Sequence, residues 1–270
     1  MIDIDNPISY PIEIQEWIIS QKPYFLTRIP LNSYEHDYEI IHKLYDMHIE
    51  EQEFIQNYIQ LNKETEFTMW HNARIENKES YLQNGILSFN GDIQQAQNRV
   101  SQLLKKFGIN AQERLILLDK IKYYWQRDGN NRTNAVHFFL SKSQIHDPQL
   151  MQFSTNLGGE CVRWGMDSIN PELYRQEPYK RLWICGTPCS IKFKSKLKDI
   201  CCYSQEHIVR EIAYYFIMNC IYNLQYIPND TGQRIGNVSP EDILCIEEIK
   251  NFIEEQENFE EYQNFYDELK

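Results

Sequence analysis

Ala135-Val136-His137-Phe138-Phe139-Leu140-Ser141 is the most strand-like run in the chain, dense in β-branched and aromatic residues. The polar segment ahead of it, Asp128-Gly129-Asn130-Asn131-Arg132-Thr133-Asn134, carries turn chemistry and reads as a loop. Beyond it, short strands are expected at Glu160 to Trp164, Leu182 to Cys185 and Ser190 to Phe193. A parallel sheet needs a helical crossover between successive strands, and residues 135–200 offer no such spacer. The pattern therefore predicts an α+β fold with a mixed or antiparallel core.

Working outward, Phe67-Thr68-Met69-Trp70-His71-Asn72-Ala73-Arg74-Ile75 reads as a second strand. A short helix follows from Lys78 to Asn84, with Gly85 where a C-terminal cap belongs. Residues 92–127 read as two helices broken at Gly108-Ile109-Asn110. Upstream, Ile40, Ile41, Leu44, Met47, Ile55 and Ile59 recur at helical steps within residues 35–62. Residues 1–35, punctuated by Pro7, Pro11, Pro23 and Pro30, read as irregular, with a short strand from Tyr24 to Ile29. Downstream, a buried helix is expected from Glu206 to Leu224, then a turn into a last strand over Val238 to Ile246. After Ile246, nine acidic residues face two lysines, and Phe252, Ile253, Phe259 and Tyr262 keep a helical period. The parse is an N-terminal extension and helix (1–62), an α+β core (63–246) and an acidic C-terminal helix or tail (247–270).

With 42% hydrophobic residues over 270 positions, the chain can bury a sizeable core. No run reaches the roughly 18 apolar residues of a membrane span. The most apolar run, Ile212 to Tyr226, is interrupted by Asn219 and Asn223. The first residues lack a basic n-region, so a cytoplasmic location without membrane attachment is expected. A net charge of -12 argues against broad nucleic-acid binding while leaving room for a local basic cleft. Seven cysteines, an odd number, suit reduced thiols better than a disulfide framework. Cys185-x3-Cys189 and the adjacent Cys201-Cys202 do not match zinc spacing, and no metal site is expected. Phosphate-loop, dinucleotide-fingerprint, zinc-protease and nucleophile-elbow motifs are all missing.

What remains is a polar constellation. His71 and Arg74 lie on one strand, Ser141 and Ser143 follow another, and Glu160 follows Gly158-Gly159. The glycine pair permits a sharp turn or a close ligand approach, and Cys161-Val162 after Glu160 suggests burial. Trp70-His71-Asn72-Ala73-Arg74, Val136 to Ser143 and Gly158-Gly159-Glu160 together resemble the ADP-ribosyltransferase superfamily. The helix from Lys78 to Asn84 and its Gly85-Ile86-Leu87 exit resemble the segment after that family's first strand. The resemblance covers roughly residues 67–200. It implies a split-sheet core of ADP-ribosyltransferase type with added helices, and NAD bound as substrate in a cleft. His71, Arg74 and Ser141 become the cofactor-binding residues and Glu160 the catalytic one. Phe138 and Phe139 stand where the family carries tyrosine, and Gly158 where its serine subclass carries a second acid.

The chemistry implied is cleavage of the nicotinamide–ribose bond, for transfer or hydrolysis, as in a bacterial or phage toxin or effector. An ionised Glu160 would stabilise positive charge growing on the ribose, while His71 orients the cofactor. Arg74 offers planar donors to a pyrophosphate. Each residue also has a structural reading: His71 as a satisfied strand histidine, Arg74 as an ion-pair residue, Ser141 as a turn former. A second class of function stays open, a non-catalytic protein-binding inhibitor or scaffold on a degenerate enzyme fold. The acidic tail and the aromatics Tyr24, Phe25, Tyr34, Tyr38 and Tyr45 suit a protein acceptor or partner.

Overall fold

Strand β1, Glu66–Ile75, is rich in large and aromatic side chains and is buried on both faces, with Phe67, Met69 and Trp70 almost fully inaccessible. In the computed structural model it is the middle strand of a five-stranded antiparallel sheet. The other strands are β2 (Ala135–Phe139), β3 (Thr187–Lys196), β4 (Thr231–Ile235) and β5 (Ile243–Glu248). Their order is β4-β2-β1-β3-β5, and Trp70 stands opposite Phe139. The structure describes residues 1–30, 37–48, 53, 56–58, 62–146, 160–184, 186–224, 226 and 231–249. Most of the acidic tail and the Gly158-Gly159 pair lie outside these residues. No helix among them is long and apolar enough to cross a membrane.

The helices are α1 (Ile12–Ser20), α2 (Lys22–Arg28), α3 (Asp37–Asp46), α4 (Lys78–Asn84), α5 (Ile93–Lys106), α6 (Ala111–Arg132), α7 (Glu160–Asp167), α8 (Lys180–Ile184) and α9 (Cys202–Ile217). The chain divides into two compact units. Unit one comprises Met1–Trp70, Val136–Gln144 and Phe193–Gly236. Unit two comprises His71–Ala135, Ile145–Lys192 and Asn237–Lys270.

In unit one, α9 carries Ile208, Ile212, Phe216 and Ile217 on its buried side and packs on α1, which contributes Ile14 and Ile18. Each buried aliphatic side chain contributes about 1.5–3 kcal/mol. Beyond α9 one π-type turn, Met218–Tyr222, closes at Asn223 in the left-handed region, φ 55°. Tyr10 packs on Phe216 and donates its hydroxyl to the Ile4 carbonyl at 2.6 Å. This anchors the first residues, which also bridge β1 through Ile2 and Phe67.

Unit two centres on Leu104, Leu117, Ile121, Val162, Met166 and Leu182, all essentially inaccessible. Gly165 faces α6 so closely that a Cβ there would lie 2.6 Å from an Ile121 side-chain carbon. Arg163 lies 3.7 Å over the Tyr174 ring and donates from Nε to Asp167 at 2.9 Å, which ties α7 to the following turn.

The strand assignment of residues 67–75, the helix Lys78–Asn84 with its Gly85 cap, and the break at Gly108-Ile109-Asn110 agree with the structure. Five local expectations do not. Of residues 1–35, the described ones through 30 are largely helical, because Pro11 precedes α1 and Pro23 sits in the first turn of α2, where a missing N–H costs nothing; residues 31–35 lie outside the described residues. Tyr24 to Ile29 is accordingly helical through Arg28 instead of extended. Asp128 to Arg132 continues α6, since one added helical residue is easier to form than a new nucleus, and the turn falls at Asn134, φ 57°. Glu160 to Trp164 is helix: Cys161 and Gly165, Val162 and Met166 are four-residue pairs turned into the helical core. Leu182 falls in α8, buried beside α7, and Cys185 lies outside the described residues.

Candidate functional site

The site begins where β1 hands over to α4. Asn77 caps α4 by accepting from the Glu79 N–H at 2.9 Å, and Gly85 ends it with φ 75°. Ile86 then pairs with Val238 through reciprocal backbone bonds of 3.0 and 2.9 Å. This strand–helix–exit path encloses a cavity of about 310 Å³. His71 borders it from β1, Ser80, Tyr81 and Asn84 from α4, and Ile86 and Leu87 from the exit. The volume is at the low end for a small-molecule site.

Its polar groups are one imidazole, two hydroxyls and one amide. Asn84 Nδ2 donates to the Ser80 carbonyl at 2.9 Å, which orients the amide. Burial pushes the Tyr81 phenol above its usual range, and the nearby Cys189 adds to the effect. Burial likewise raises the Cys189 thiol, with Lys78 and Arg74 pulling against it and Glu248 reinforcing it. Both groups stay protonated at neutral pH, so Tyr81 offers a hydroxyl donor and Cys189 is no ready nucleophile.

Arg74, three residues from His71, projects from the opposite face of β1 by strand alternation, and it does not line the cavity. Ser141 belongs to unit one and is fully buried. Its hydroxyl donates to Asp5 Oδ1 at 2.5 Å and contacts the Ser143 hydroxyl, while Asp5 Oδ2 accepts from the Lys142 N–H at 2.8 Å. Gln144 Oε1 accepts from both the Leu140 and Ser141 N–H groups. This network fastens the end of β2 to the N-terminal segment. Glu160 is the first residue of α7, and its side chain lies outside the described set.

Reading the sequence found His71 and passed over Tyr81, Ser80 and Asn84. Their signal was present: Ser80, Tyr81 and Asn84 share one helical face at spacings of one, three and four. The six described cysteines are free, and no group of metal-ligating side chains occurs among the described residues. Comparison with protein-family models, with characterised proteins and with solved structures finds no match.

Proposed function

We propose that the chain is an NAD-binding protein of ADP-ribosyltransferase type, acting at the nicotinamide–ribose bond, with the His71 cavity as part of its ligand site. One observation carries the reading. The strand, helix and Gly85 exit that resemble the family's first segment form a single cavity, and His71 faces into it. The neutral hydroxyl of Tyr81 and the oriented amide of Asn84 suit the ribose hydroxyls and carboxamide of NAD. Glu160 would supply the negative charge beside the ribose.

The test is thermal. Ligand that binds only the folded state raises the melting temperature, by about 2.7 kcal/mol of stabilisation at a hundredfold excess over Kd. Wild type should show an NAD-dependent rise, and His71→Ala should lose most of it. Where turnover is measurable, His71→Ala should raise KM, because an orienting group acts in the ground state as well. An unchanged melting temperature at millimolar NAD would end this reading.

A second reading is binding without turnover, on a degenerate enzyme fold. It is favoured by the hydroxyl of Ser141 being committed to Asp5 and Ser143, and by Glu160 opening a helix instead of a strand. NAD-induced stabilisation with no nicotinamide release would select it.

A further inference from the structure

A second cavity of about 240 Å³ lies in unit two, next to the first, and Leu87 lines both. One wall is a face of α5. Gln95, Ala96 and Arg99 lie on one face of α5, and Asp92, its N-cap, borders the same cavity just ahead of the first turn. The other wall is the extended segment from Leu87 to Asn90, with Asn237.

This wall is held in place before any ligand arrives. Ser88 donates from its N–H and its hydroxyl to Asn237 Oδ1 at 2.8 and 2.9 Å. Asn90 accepts from the Asp92 N–H at 2.9 Å and donates to Gln95 Oε1 at 3.1 Å. The Phe89 ring stacks on Trp125 with centroids 6.2 Å apart. Gly91, at φ 83°, leaves the turn into α5 close against Thr133.

Charge decides what would bind. The chain has 39 acidic residues for 27 basic ones, yet no described carboxylate pairs with Arg99. Its planar fork, with Nε2 of Gln95 one turn away, presents donors to an anion. At the other end Asp92 uses one carboxylate oxygen for the Gln95 N–H at 2.9 Å, which leaves the second as an acceptor for hydroxyls. Seven residues separate Asp92 from Arg99, about 10 Å along the helix axis. An amino acid cannot use both ends, because its two charges are only a few bonds apart. A pentose phosphate can, with hydroxyls at Asp92 and phosphate at Arg99.

We propose that this compartment binds a sugar phosphate, with Arg99 holding the phosphate and Asp92 the sugar hydroxyls. The assignment rests on these residues alone and goes beyond the NAD reading, which concerns the His71 cavity.

The probe is ribose 5-phosphate, titrated into the full chain by calorimetry and by amide NMR. Wild type should bind it saturably, with shifts concentrated at residues 87–99 and at Asn237. Arg99→Gln should weaken binding roughly 10- to 100-fold, the range for losing a charge-assisted bond. Ala96→Leu, which fills the cavity with another good helix former, should abolish it, with circular dichroism confirming the fold. Inorganic phosphate should bind more weakly than ribose 5-phosphate. The proposal is overturned by absent saturable binding, by an Arg99→Gln protein that binds as wild type does, or by inorganic phosphate binding equally well. Lack of NAD binding alongside a positive ribose 5-phosphate result would discard the NAD reading and keep this one.

Discussion

Glu160→Gln should abolish nicotinamide release from NAD while leaving the fold and the NAD-induced melting shift nearly intact. Under the proposed reading, the glutamate acts on a positive charge that exists only in the transition state. The amide keeps the size and part of the hydrogen bonding of the carboxylate but not its charge. The loss should therefore fall on kcat, with KM little changed. Removing one preorganised electrostatic contact costs roughly 10²–10³ in rate, and a full charge can cost more. A purely structural role predicts a different outcome. Glu160 is the first residue of α7, a position where a negative charge generally favours a helix by about 0.3–1 kcal/mol. Neutralising it for that reason would lower the melting temperature slightly and leave turnover alone. Nicotinamide release measured beside the melting curve separates the two, and equal activity in the variant removes Glu160 from the mechanism.

The elements legible in the sequence are those whose signals are local. β1 declares itself by its aromatic and β-branched residues, α4 by Gly85 at its end, and the α5–α6 break by Gly108. The last strand followed from Ser239-Pro240 turning into Ile243 to Glu248. The misread segments have signals that depend on tertiary context. Glu160 to Trp164 contains β-branched and aromatic residues, and only the fit of Gly165 against Leu117 and Ile121 shows why the run is helical. Pro11 and Pro23 look like breakers until they are seen at helix starts.

The candidate site divides along the same line. His71 was legible because a polar residue in a buried aromatic strand stands out against its neighbours. The spacing of three between His71 and Arg74 already set them on opposite faces of β1, a constraint that alternation imposes before any coordinates exist. The partners of His71 were not legible, since Ser80, Tyr81 and Asn84 look like ordinary surface residues of a short helix. Only the return of the chain at Val238, far along the sequence, fixes the Ile86 exit that borders them. Ser141 fails as a sequence inference for a similar reason, because its partner Asp5 is 136 residues away.

Gly85→Ala should destabilise the protein more than any comparable glycine substitution near the site. With φ 75° and ψ -163° Gly85 occupies a region open essentially to glycine alone, which costs an alanine about 1–3 kcal/mol. Space is the larger obstacle: a Cβ there would sit 1.9 Å from the Val238 carbonyl oxygen. Val238 cannot yield easily, since its carbonyl accepts from the Ile86 N–H at 3.0 Å and its own N–H donates back. Overpacking against backbone adds about 1–3 kcal/mol or more. At 2–4 °C per kcal/mol, the melting temperature should fall by on the order of 10 °C. Gly91→Ala is the control. Its φ of 83° is also positive, but its nearest neighbour is the Thr133 methyl at 3.2 Å, a side chain that can shift. That variant should lose only the strain, a few degrees. If the contact with Val238 dominates, Gly85→Ala should melt well below Gly91→Ala and should also lose any ligand-induced shift at the His71 cavity. A Gly85→Ala protein that melts no lower than Gly91→Ala would show that the Val238 contact does not govern this corner.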